Sequence, residues 1–219
     1  MASQQGFVSD TAPSTALPHV RPTSSLPRAV RPPRAKPLPA RSRVECLLYI
    51  ELHPCPCGQA DVDWARPRES RIDGRRAATF DGDCHGCGTS RGFQFHLPDE
   101  PVAPPAFGGA EPSRIIGPHE FLALGRRAEA AVAGDPARLP IASAEAALHV
   151  LTVAIAAHEE VVKFIPPDGP AVPREAFTSD AARSAFDHAP DGYDRAALTA
   201  RLADYRTLER AYRRRLAPH

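Results

Sequence analysis

The chain predicts an α+β fold in which a small antiparallel β subdomain is followed by a small α-helical subdomain and preceded by a disordered tail. Three observations carry this reading. Apolar residues alternate with period two around two cysteine turns before residue 98, the apolar period lengthens to that of helices after residue 118, and the first 42 residues show no apolar period. The matching division is a tail at 1–42, a β subdomain at 43–98, a linker at 99–117 and a helical subdomain at 118–219.

The tail combines prolines with Ser, Thr and Arg, and such a composition cannot bury enough surface to offset its ordering entropy. Residues 1–43 carry seven basic side chains against one acid, Asp10, so the net charge of +1 hides a basic tail on a slightly acidic remainder. The string 27-PRAVRPPRAKPLPAR-41 could touch nucleic acid, an anionic surface or a proline-reading domain, or act only as a solubilising leader. Lys36 and Lys163 are the only lysines, and with abundant Ala, Pro and Arg this composition reads as that of a high-GC bacterial gene.

From Val44 the pattern 44-VECLLYIEL-52 alternates and predicts a strand ending at His53-Pro54. A short strand is expected at 62–64 within a polar stretch, then strands 77–83 and 93–97 around the second cysteine turn. The Pro/Gly-rich segment 98–113 reads as a linker. Beyond it, Phe121, Leu124, Ala128 and Val132 mark one helix over 118–134, and Ser143 caps a long helix running to Ile165 before 166-PP-167. A short helix over 180–188 has Thr178 or Ser179 as cap, and a last helix over 193–216 aligns Leu198, Leu202, Tyr205, Leu208 and Tyr212. No membrane-spanning run and no secretory signal is expected, and the cytoplasm is the expected compartment.

Five cysteines in a reducing compartment favour metal ligation over disulfides for the four that fall in tight pairs. Cys55-Pro56-Cys57-Gly58 and Cys84-His85-Gly86-Cys87-Gly88 each present two thiols on a turn, and the closing glycine permits positive φ. Zinc takes four such ligands in a tetrahedron. Cys55, Cys57, Cys84 and Cys87 are the candidate ligands; His53 is the alternate, since the first pair is CxC rather than CxxC, and His85 is a further imidazole within reach. Cys46 reads as a buried apolar residue. On these residues, 44–97 resembles a zinc ribbon, which implies a structural Zn2+ and a small sheet; the helices resemble no family.

Other chemistry is weaker. His149, His158, Glu145, Glu159 and Glu160 share the long helix without an HExxH or ExxH pairing, and Glu159 is expected to pair with Lys163 while the others sit at helix surfaces or subdomain contacts. Arg213, Arg214 and Arg215 complement a helix C-terminus. Tyr49 and Trp64 beside Arg66, Arg68, Arg71, Arg75 and Arg76 give an aromatic and basic mixture that interleaved acids nearly cancel. No phosphate loop, nucleophile elbow or cysteine protease signature occurs. The expectation is a zinc-stabilised, non-enzymatic accessory or immunity-type factor that contacts a protein partner and no membrane. The alternative is a nucleic-acid-binding regulator using ribbon and tail, and a metal-dependent hydrolase comes third.

Overall fold

Two apolar faces on one ten-residue helix organise the molecule. The computed structural model describes residues 36–104, 106–132 and 134–217, all within one compact unit spanning Pro33–His219. Most of the expected disordered tail therefore lies outside the described residues. Its last part does not: β1 (Leu38–Pro39) pairs with a later strand, and Ala40 is buried.

The segment expected as a strand at 44–52 is instead helix α1 (Arg43–Leu52). The Ser42 hydroxyl accepts from the Glu45 amide at 3.0 Å and caps it. Val44, Leu48 and Leu52 recur every four residues on one side and pack against the helical core, while Cys46 and Ile50 face the sheet. A helix buried on opposite faces reads, residue by residue, as alternation. That is why its period mimics a strand.

The sheet has five strands: β1, β2 (Val62–Trp64), β3 (Arg68–Ile72), β4 (Arg75–Cys84) and β5 (Ser90–His96). The long β4 lies between β5 on one edge and, end to end, β2 and β3 on the other. All of these pairings are antiparallel, whereas β1 runs parallel to β5. Strand β3 was not expected. Its hairpin turns on Asp73-Gly74, with φ of 50° and 76°, as a two-residue loop twisting with its strands requires. Ala78, Phe80, Phe95 and Leu97 form the buried patch on which α1 rests.

The helical layer comprises α2 (Pro118–Ala131), α3 (Ile141–Val162), α4 (Asp180–His188) and α5 (Arg195–Leu216). Ser179 caps α4 through the Ala182 amide, as expected. Helix α3 begins at Ile141 with Pro140 at its N-cap rather than Ser143, which lies exposed in its first turn. Contrary to the sequence reading, α3 is long and apolar enough to cross a membrane by length and composition alone. In the fold it is the central helix, with Ala144, Leu151, Ala154 and Val161 fully buried between α2 and α5. The described residues of the 98–117 segment form no regular element, yet Phe107 and Ile116 are buried in the helical core.

Charge also enters this core. Glu45 and Glu160, 0% and 1% exposed, share the Arg41 guanidinium at 2.6 and 2.7 Å, and Lys163 donates to Glu160 at 2.5 Å. The expected Glu159–Lys163 pair is thus replaced: Lys163 turns inward to the buried carboxylate, and Glu159 pairs with Arg206. Burial alone would lower the Arg41 pKa, but the two carboxylates outweigh it and hold it raised. A Cβ on Gly108 would fall 2.7 Å from the Arg41 side chain, so only glycine lets the loop close over this cluster. His158, expected at a surface or subdomain contact, is fully buried against Gly125 and edge-on to Tyr205, and burial pushes its pKa down.

Removing one member of a buried pair leaves the other charge uncompensated, at a cost of about 3–5 kcal/mol. Glu160→Gln, which keeps the shape, is therefore expected to lower unfolding stability by about that amount in a denaturant titration. A change within about 0.5 kcal/mol, the usual scatter of surface substitutions, would mean that the cluster contributes nothing net.

Candidate metal centre

Two turns bring four sulfurs to one point. In the first, which follows α1, the Gly58 amide donates to the Cys55 carbonyl at 2.8 Å with Gly58 at φ 85°. In the second, between β4 and β5, the Gly88 amide donates to the Cys84 carbonyl at 2.8 Å with Gly88 at φ 68°. A residue with a Cβ is strained at either position. The turns are joined directly. The His85 amide donates to the Asp61 carbonyl, β2 pairs Val62 with Cys84, and Arg91 of β5 donates to the carbonyls of His53 and Pro54. A Cβ on Gly82 would meet the Asp63 carbonyl at 2.5 Å, so β2 approaches β4 this closely only because that residue is glycine.

The ligand atoms of Cys55, Cys57, Cys84 and Cys87 all lie within 4.8 Å of one another. The contacts Cys55–Cys87 and Cys57–Cys84 are 3.6 Å between sulfurs. Four sulfurs at about 2.3 Å from a tetrahedral centre would be about 3.8 Å apart, so the spacing fits one ion. Cys55 and Cys84 are buried while Cys57 and Cys87 face outward, which leaves half of the cluster at the surface.

Their protonation shows what a cation would relieve. The Thr89 hydroxyl, 3.1 Å from the Cys87 sulfur, leads the contacts that bring this thiol down to about 6. The Gln59 amide pulls Cys57 down, but sharing protons with Cys87 and Cys84 outweighs it and drives Cys57 up to about 11. Four adjacent sulfurs cannot all ionise beside one another without a positive charge between them.

The two imidazoles lie elsewhere. His53 stacks on Tyr49 with ring centroids 3.9 Å apart and donates from Nδ1 to the Tyr49 carbonyl. His85 is exposed, 3.9 Å from the Asp61 carboxylate. Cys46 is fully buried, hydrogen-bonds the Ser42 carbonyl and is pushed up to about 12, first by burial and then by Glu45. It is an inert core thiol. Arg41 and Glu45 were not singled out at the level of sequence, although 42-SRVE-45 carries the Ser-x-x-Glu signature of a helix start, and Glu160, expected at a helix surface or subdomain contact, is buried beside them.

Substituting a ligand and the neighbouring imidazole separates the two roles. Cys57→Ser is expected to lose bound metal and thermal stability together, whereas His53→Ala keeps one metal per chain by elemental analysis. Metal loss in His53→Ala with retention in Cys57→Ser would reverse the assignment.

Comparison with known proteins adds no relative: no family model, no curated protein and no solved structure matches this chain, so the assignment rests on its own four sulfurs.

Proposed function

We propose that this chain is a zinc-stabilised, non-enzymatic factor that acts by contacting a protein partner through its helical layer. The observation that carries the reading is the composition of the metal centre. Four thiolates complete a tetrahedral zinc ion and leave no position for water or substrate, the arrangement of structural rather than catalytic sites. Soft sulfur donors favour zinc over magnesium, calcium or manganese. Structural zinc supplies about 10–16 kcal/mol of apparent binding energy, which a β layer of this size needs to fold. Free thiols at the surface fit a reducing compartment, and we place the protein in the cytoplasm on that ground.

Two features weigh against the nucleic-acid reading. Three arginines of the β layer are engaged by acids, Arg68 by Asp81, Arg71 by Asp99 and Arg76 by Glu69, and Arg91 is spent on the carbonyls of His53 and Pro54. The aromatic side chains that would stack on bases are half-buried and already packed on other rings, Trp64 against Phe93 and Tyr49 against His53. A single-strand reader needs free cations along a groove and bare aromatic faces.

Fluorescence anisotropy with random-sequence oligonucleotides tests the partner class. The expected result is no saturable binding at low ionic strength by the zinc-loaded full chain. Tight binding that falls steeply as salt rises would replace the protein-partner reading with the nucleic-acid one.

A further inference from the structure

A groove separates α1 from α3, floored by Leu124 of α2 and bounded by Pro104, Ala106 and Phe107 and by Glu209 and Arg213 in the last turns of α5. Its walls are two helical stripes at i, i+3, i+4 and i+7 spacing: Val44, Leu47, Leu48 and Glu51 on α1, and His149, Thr152, Val153 and Ala156 on α3. Leu47 is 52% exposed, one of two large apolar side chains left so open among the described residues.

Volume decides what fits. The cavity measures about 730 Å³, within the roughly 300–1,000 Å³ of small-molecule sites. Charge decides which kind of small molecule. Three carboxylates line the groove: Glu159 is held by Arg206 at 2.8 Å and Glu209 by Arg213 at 2.7 Å. Glu51 has no partner among the described residues. One negative charge is therefore left over beside an apolar slot, at the edge that Leu47 opens to solvent.

We propose that this groove binds a small monocationic ligand with an apolar body, its hydrocarbon part seated between α1 and α3 and its charge against Glu51. The site shares no residue with the cysteine cluster, and the inference stands apart from the protein-partner reading.

Octyltrimethylammonium, octane-1-sulfonate and 1-octanol share a chain and differ in charge, so they serve as probes of the zinc-loaded full protein. Calorimetry and methyl NMR are expected to show saturable one-to-one binding of the cation, with shifts at Leu47, Leu124 and Val153. Attraction of the cation and repulsion of the anion at contact distance each change affinity by at least about fivefold, so the anion should bind at least about twentyfold more weakly than the cation. Glu51→Gln should abolish the preference for cation over alcohol, and Val153→Trp should block all three probes. Should that larger side chain prevent folding, Glu51→Gln alone still decides the charge claim. The proposal is overturned if the cation does not saturate, if the shifted methyls lie outside the groove, or if Glu51→Gln leaves the preference intact. Equal binding of all three probes would also overturn it, and would mark the groove as an apolar face for a protein chain.

Discussion

Glu45 has no access to water, and the rest of the structure is arranged so that its charge is tolerable. An unpaired carboxylate in that position would be prohibitively unfavourable, and the Arg41 fork meets it while also reaching Glu160 of α3. Lys163 completes a neutral group of two acids and two bases, and it and Arg41 donate to the carbonyls of Gly109 and Glu111. The cluster thereby fixes the N-terminal end of α1 to β1's trailing residues, to the end of α3 and to the irregular 98–117 segment. Hydrophobic contact would not specify that junction so narrowly, because apolar faces can slide and a fork on two carboxylates cannot.

The other end of α1 is held differently. Three residues beyond the helix the chain enters the first cysteine turn, and the sulfurs of Cys55 and Cys57 meet those of Cys84 and Cys87 from the β4–β5 turn. The helix therefore spans two unlike anchors, a buried charge cluster and a four-cysteine cluster, with the sheet patch of Phe80 and Phe95 on one side and the helical core on the other. Both the proposed partner surface and the groove beside Leu47 depend on where this helix sits. A metal at the cysteines would act on function only through that placement.

The cysteine cluster was legible because its chemistry is local: each pair of cysteines lies on one turn with its own glycine. The caps and stripes of α4 and α5 were legible for the same reason, since Ser179 and the Leu198–Tyr212 stripe need no distant partner to be recognised. Helix α1 was not, because burial on two opposite faces erases the one-sided period that marks a helix; only the cap sequence 42-SRVE-45 argued for it. The hairpin at Asp73-Gly74 left the standard two-residue turn signal, but its flanking residues are mostly arginine and acid and carry no apolar alternation. Glu45 and Glu160 read as ordinary surface acids, and their partner Arg41 is 119 residues from Glu160. Nothing in a linear pattern joins residues that far apart.

The most direct test of the account is amide hydrogen exchange on the full chain with zinc and after verified removal of zinc. Residues 53–60 and 82–90, and the C-terminal half of α1, are expected to lose protection on metal removal while the centre of α3 keeps it. Identical protection in both states would contradict it, and would mean that the four cysteines do not hold the metal that fixes this fold.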